Sequence, residues 1–340
     1  MELLLKLKEK FAKDKFSLGL DIGTKAIKTL KLRHNHDILE LCGFAIEPAQ
    51  TDLREPLKKM RQSQGQEAVN IGVSGAATVL RDVNFLRMNS TELKQALKFE
   101  AQKHIPFSIS EVNLDGFIIK EDLPDNKMLV LLAAVKKDFL NQRLGVLEDA
   151  GFKTHIVDID SLALINAFNF NYAQENNLKN KTIALLNIGA SISNLSILEN
   201  GSPHLSRDIH VAGNNLTQRI ADLFGVDFNS AENLKINPDK EKMDKVTAAL
   251  DSVLANLAGE IRTSFDYYES RSTASVIKIF LSGGGSMFKG LNDMLANLLG
   301  TEVGYWDPLR KINLASDIDS DRIKALSSQL AVAVGLALRT

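Results

Sequence analysis

Apolar and polar positions over the first eighty residues follow the period of two that marks half-buried strands. From Phe16 to Leu32 they predict a buried strand, a tight turn at Gly23 and a second strand, with a further turn near His34 to Asp37. A helix is expected over Leu53 to Gln62 and a strand over Ala68 to Gly75, after which Val79 to Arg87 alternates again. Ser90, Thr91 and Glu92 open a helix running to about His104, and Pro106 ends it because proline disfavours helical geometry in the residue before it. Strands over Asn113 to Lys120 and Lys127 to Val135, a helix over Lys137 to Ala150 closed by Gly151, and a strand over Lys153 to Val157 follow. With the strand and helix before them they read as a self-contained β-α-β-β-α-β unit.

Two later helices carry small residues one turn apart: Ala163 and Ala167 within Asp160 to Phe168, and Ala331 and Gly335 within Leu330 to Leu338. Such pairs let helices cross closely, as a hinge beneath a cleft requires; ordinary helix packing gives the same pattern. Between them, Thr182 to Leu198 repeats the layout of the first strand pair, so that Asn187, Gly189 and Ala190 align with Asp21, Gly23 and Thr24. Asn200-Gly201, flanked by alternating segments, favours a type I′ turn. Helices are expected over Leu216 to Phe224, after a cap at Asn229 and Ser230, over Asp244 to Ser270, and over Leu291 to Leu299. Gly300 to Lys311 reads as a strand and loop.

The repeat is where chemistry enters. Gly23 tolerates positive φ and has no side chain, so the N–H groups of Gly23, Thr24 and Lys25 can approach an anion, and Asp21 beside them suits a hydrated Mg²⁺. One such turn is equally well a bland hairpin. Two predict homologous halves that face one another, with Gly189, Ala190 and Ser191 opposite the first turn. A third glycine element, Gly283, Gly284 and Gly285 followed by Ser286, leaves an apolar strand and opens a helix, which lets a flat ligand lie against backbone.

Composition narrows the alternatives. A chain of 340 residues, 44% apolar, is long enough for two lobes, and a net charge of −1 gives no reason to expect a nucleic acid partner. The single cysteine, Cys42, excludes an internal disulfide and fits a reduced compartment. The longest apolar run, Met128 to Val135, falls well short of the roughly 18 residues of a membrane span. Residues 1–15 form a leader with five lysines, Lys6 to Lys15, and Leu3, Leu4, Leu7 and Phe11 on one helical face; it reads as a frayed terminus or a membrane-resting segment. The histidines are scattered, and no nucleophile elbow, Walker loop or dinucleotide fingerprint occurs.

In their order and spacing, Leu20 to Thr24, Leu186 to Ser191, Ser206 to Gly213, Ala231 to Lys235, Leu281 to Ser286 and Gly335 to Arg339 resemble the actin-like ATPase superfamily. Within it the chain resembles the PilM family of type IV pilus assembly, related to FtsA. The resemblance implies an α/β fold, actin-like (ribonuclease H-like) and two-lobed, with an inserted SHS2-like α+β subdomain called 1C. The lobe-one core, 1A, would take residues 16–80, 156–180 and 318–340, and 1C residues 81–155. The lobe-two core, 2A, would take 181–212 and 275–317, and its cap, 2B, 213–274.

The same resemblance implies ATP or ADP with Mg²⁺. Asp21 would hold the metal through water, Gly23 to Lys25 and Gly189 to Ser191 the phosphates, and Gly213 would close over them. Glu232, Lys235 and Gly283 to Ser286 would face adenosine, although Glu232 and Lys235 alone read as an exposed helix ion pair. Where the family's second phosphate motif usually begins with Asp, this chain has Asn187, which can orient a water but brings no charge to the metal, so binding with slow or no hydrolysis is expected. Asp158 and Asp160 are further water-positioning candidates. The implied partners are the cytoplasmic N-terminal peptide of the inner-membrane protein PilN, held near the 1C-like unit, and the pilus platform and motor. Location would be cytoplasmic, at the inner membrane through those partners, with self-association possible. Two alternatives stand beside this reading. An FtsA-like division protein would need a C-terminal amphipathic anchor, and the sequence ends at Thr340 just after the hinge helix. A small-molecule kinase would need a general-base Asp in a small-substrate pocket after the first lobe, and the sequence offers no convincing one.

Overall fold

Two sheets with the same strand order account for the repeat. The computed structural model describes residues 15–35, 38–65, 68–239 and 241–340. The leader, up to residue 14, and His36 and Asp37 of the expected turn lie outside the described residues.

In lobe one, β1 (Lys15–Ile22), β2 (Ala26–Asn35) and β3 (Ile38–Pro48) form an antiparallel meander. After α1 (Arg54–Gln64), β4 (Ala68–Val73) pairs in parallel with β1, and β8 (Lys153–Ile159) in parallel with β4. Lobe two repeats this: β9 (Thr182–Ile188), β10 (Ser193–Glu199) and β11 (Ser202–Ile209) meander, β12 (Val276–Ser282) pairs in parallel with β9, and β13 (Glu302–Tyr305) with β12. The orders β3-β2-β1-β4-β8 and β11-β10-β9-β12-β13 correspond strand for strand, and short β14 (Asn313–Leu314) extends the first. Asn200 and Gly201 both have positive φ, 51° and 77°, as a type I′ turn requires.

Between β4 and β8 the chain forms a third sheet, ordered β5-β7-β6, from β5 (Thr78–Leu86), β6 (Val112–Leu123) and β7 (Lys127–Lys136). One face packs on α2 (Ser90–Ala101), where Leu93 and Leu97 meet Val83, Phe85, Val130 and Leu132. Asn89 caps α2, accepting from the Thr91 and Glu92 N–H groups while Glu92 reaches back. The expected six-element unit is corrected: β8 belongs to the lobe-one sheet. Helix α3 (Lys137–Asp149) ends there too, with Leu147 and Phe152 beyond it buried beside Leu18 and Leu57. The alternating Lys153 to Val157 pattern marks a strand but does not say which sheet it joins.

Lobe two packs α5 (Gly213–Phe224), α6 (Phe228–Ile236), α7 (Met243–Glu269) and α8 (Leu291–Leu299) around its sheet, with Leu216, Ile220, Leu254 and Ile261 in the core. The cap of α6 is Asp227, not the expected Asn229 and Ser230, whose N–H groups it accepts. A shared core joins the lobes. Helices α4 (Asp160–Tyr172) and α10 (Ala331–Ala337), the latter following α9 (Ser320–Leu326), bury Leu164, Phe168, Val334 and Leu336 with residues of both sheets, including Leu30, Leu185 and Phe280.

The small residues touch as the spacing predicts. A Cβ at Gly335 would stand 1.7 Å from the Ala163 carbonyl oxygen, so the two helix backbones meet there. Gly335→Ala is therefore expected to destabilise by about 3 kcal/mol or more, because a backbone must shift to admit the methyl group. Gly259→Ala, inside α7 with nothing within 4 Å of its Cβ position, is expected to stabilise by about 0.5–1 kcal/mol. Denaturant melts of both variants check this, and equal effects would contradict it.

Candidate functional site: a cleft between two matched turns

The hairpins set the geometry. The β1–β2 register makes Ile22 and Ile27 partners, and the Gly23 N–H donates to the Ala26 carbonyl at 3.1 Å, leaving Thr24 and Lys25 as a two-residue tip. In the second copy the Gly189 N–H donates to the Ile192 carbonyl at 3.1 Å and leaves Ala190 and Ser191 as the tip. The two glycine N–H groups therefore close their own turns, which corrects their expected role as anion donors. The N–H groups of Thr24, Lys25, Ala190 and Ser191 make no hydrogen bond among the described residues. They are the donors left for an anion.

Both tips border one cleft of about 1190 Å³ between the lobes. Every residue expected at a nucleotide lines it except Ser286. The Gly213 N–H donates to the Gly189 carbonyl at 3.0 Å and the Asn214 N–H to the Ala190 carbonyl at 2.8 Å, so α5 starts directly on the second turn. Gly283 has φ of 90°, and a Cβ there would fall 2.3 Å from the Ile188 carbonyl oxygen and 2.5 Å from Asn187 Oδ1; only glycine fits. Ser286 is buried behind this wall. Its hydroxyl donates to the Gly283 carbonyl at 2.7 Å and lies 3.2 Å from the Ser328 hydroxyl, so it shapes the glycine turn and does not face a ligand.

A family model for type IV pilus assembly protein PilM matches residues 19–340. The chain belongs to the PilM family. It is 26% identical to the chain matched in a solved PilM-PilN type IV pilus biogenesis complex, covering 95% of this chain and 98% of that one with a TM-score of 0.85. The ethanolamine utilization protein EutJ from Carboxydothermus hydrogenoformans is 14% identical over 96% of this chain and 90% of that one, with a TM-score of 0.55, a likeness of fold. The fold of this PilM-family chain is the actin-like one.

On the lobe-two wall, Glu232 and Lys235, which alone read as an exposed ion pair and by resemblance would face adenosine, are largely buried. Lys235 is 2% exposed, and its Nζ donates to Glu232 Oε2 at 2.8 Å, to the Thr217 hydroxyl at 2.8 Å and to the Gly213 carbonyl at 3.4 Å. Burial, against the pull of Glu232, holds the Lys235 ammonium below the usual lysine range. For Glu232 burial works the other way, yet the hydrogen bonds from Lys235 and Thr217 and the charges of Lys235 and Lys25 outweigh it and lower its carboxyl below the ordinary value.

On the lobe-one wall, Asp21 is nearly buried and accepts a hydrogen bond from Lys28 Nζ at 2.8 Å. Lys28 also borders the cleft and was missed in the sequence. The signal was available, because a tight turn at Thr24 and Lys25 makes Asp21 and Lys28 cross-strand partners. Asn187 borders the cleft and its Oδ1 accepts from the Ser282 hydroxyl at 3.4 Å. Of the two further acids, Asp158 is not at the cleft; its carboxylate accepts from Arg339 Nε at 2.7 Å. Asp160 is. It opens α4 with its Oδ1 sealed from solvent and without a hydrogen-bond partner among the described residues. Burial first, then the charge of Asp21, push its carboxyl up to about 7, against a Ser74 hydrogen bond and the cations Lys28 and Arg143.

That shift fixes a pH dependence. Between the ordinary value near 3.8 and about 7, the folded chain keeps a proton on Asp160 that the unfolded chain has lost, so its contribution to stability falls as pH rises. Asp160→Asn is expected to stabilise the chain by roughly 2–4 kcal/mol at pH 8 and by much less at pH 4.5. Thermal melts at the two pH values check it; an equal effect at both would contradict it.

Proposed function

We propose that this PilM-family chain binds ATP with Mg²⁺ between its lobes and uses that occupancy to set its contacts in the pilus assembly machinery. The observation that carries the nucleotide half is the pair of facing turns, whose four tip N–H groups lack partners while glycines keep the floor free of side chains. Phosphates would lie on Thr24, Lys25, Ala190 and Ser191, with Gly213 above them. Adenosine would lie along Gly283 to Gly285 with Glu232 and Lys235 beside it. Asp21 would hold Mg²⁺ through water, an arrangement suited to an ion that keeps most of its hydration shell. Bound there, the metal would offset phosphate charge.

Hydrolysis is proposed to be slow. The acid expected at the start of the second phosphate motif is replaced by Asn187, whose amide can orient a water without adding charge near the metal. Asp160, which borders the same cleft, is the other candidate to orient a water. It also supports one competing reading, a small-molecule kinase, since a cleft carboxyl pushed up to about 7 is partly deprotonated near neutrality and could take a proton from a substrate hydroxyl. Phosphorylation of hydroxyl compounds by MgATP at enzymic rates would favour that reading.

The assembly half rests on family membership and on likeness to the PilM-PilN complex. The partner is proposed to be the cytoplasmic N-terminal peptide of a PilN-like inner-membrane protein, and the chain to act at the inner membrane by linking it to the platform and motor. No helix among the described residues is long and apolar enough to cross a membrane, in keeping with recruitment through a partner. A place for the peptide is the face of the three-stranded sheet turned away from α2. There Leu80, Ala133 and Val135 pack against Phe139 and Leu140 of α3. Phe117, opposite Leu131 in the ladder, is 71% exposed on that same face.

Calorimetry tests both halves. MgATP is expected to bind with measurable heat, and Asn187→Asp to raise turnover about tenfold or more; brisk wild-type turnover unaffected by the change would contradict slow hydrolysis. Phe117→Asp is expected to weaken binding of the PilN-like peptide about tenfold or more and leave MgATP affinity unchanged. Undiminished peptide binding would move the groove elsewhere.

A further inference from the structure

Lys25 stands at the tip of the lobe-one turn, yet its Nζ lies 3.3 Å from Glu232 Oε1 on α6 of lobe two. The ring of Phe228, at the start of α6, has its centroid 5.6 Å from the same Nζ. One side chain thus bridges the cleft from turn to cap. The two partners are unequally committed. Glu232 is satisfied without Lys25, since its Oε2 takes Lys235 at 2.8 Å and the Thr217 hydroxyl. Lys25 has no other carboxylate among the described residues, and its side chain is 48% exposed. An anion arriving at the turn would therefore compete for Lys25 against a carboxylate that already has a buried cation.

We propose that Lys25 is a latch and terminal-phosphate sensor: in the ligand-free chain it ties the lobe-one turn to α6, and a nucleoside triphosphate draws it off Glu232. This rests on the nucleotide reading above and adds to it a residue that separates ATP from ADP. A diphosphate brings one phosphate fewer to the tips, so it competes less well for the ammonium. A triphosphate brings several negative charges to the turn, whereas the single carboxylate of Glu232 is already offset by Lys235, which fixes the direction of exchange. Release of the turn would untie α6 from lobe one while the Glu232–Lys235 pair keeps its hold on Thr217 and Gly213 of α5, so the position of the cap relative to lobe one would report how many phosphates the nucleotide carries.

The full chain is compared with Lys25→Met and Lys25→Arg in two arms. Without nucleotide, hydrogen exchange of the α6 amides is expected to quicken about two- to fivefold in Lys25→Met and to stay at the wild-type rate in Lys25→Arg. Wild-type exchange in Lys25→Met overturns the latch. Calorimetry with MgATP and MgADP follows. Lys25→Met is expected to lower the preference for MgATP about tenfold or more, with MgADP affinity within about twofold, and Lys25→Arg to restore it. An unchanged preference, or equal loss for both nucleotides, overturns the sensor. If α6 responds in the first arm and the wild-type chain takes up neither nucleotide, the nucleotide reading falls with the sensor while the latch stands.

Discussion

Everything at the cleft depends on a single constraint: a two-residue tip closed by glycine, made twice and held face to face. In each copy the glycine N–H closes the turn, at Ala26 in one and Ile192 in the other, and so leaves the tip donors outward. A side chain at either glycine would meet the very carbonyl that closes the turn, 3.0 Å away at Gly23 and 2.6 Å at Gly189. The matched strand orders of the two lobes repeat this local arrangement at the scale of the fold. The α4–α10 crossing at Ala163 and Gly335 lies in the core that the two sheets share.

Charge balance across the cleft follows from that arrangement. Lys28 neutralises Asp21, Lys235 neutralises Glu232, and Lys25 crosses from one lobe to the other. Among the described residues Asp160 is left without a cation at its buried Oδ1, and its carboxyl is pushed up to about 7. Three lysines stand against the carboxylates of Asp21 and Glu232, so these groups leave a surplus cation in the cleft, and a bound anion would be met both by backbone donors and by exchange of Lys25 between partners.

Much of this was legible in the sequence because it depends on local rules. The duplicated turns, the type I′ hairpin at Asn200-Gly201, the helix start at Ser90 to Glu92 and the small-residue crossing all follow from residue type and spacing. What escaped depended on pairing at a distance. The register that sets Lys28 against Asp21 needs the tip length, and the sheet that β8 joins needs topology, since an alternating strand reads alike in either. Burial of Lys235 is invisible in a helix segment whose Glu-x-x-Lys pattern also suits a solvated face. Asp158 and Asp160, two residues apart, have opposite fates because one ends a strand beside Arg339 and the other starts a helix at the cleft.

The facing tips are tested most directly by amide proton shifts. In spectra of the isotope-labelled chain titrated with MgATP, the amides of Thr24, Lys25, Ala190 and Ser191 should all move downfield together and saturate along one binding curve, as N–H groups do on donating to phosphate. If those signals hold still while others in the cleft respond, or if only one turn moves, the two copies do not act as a pair and the account is wrong.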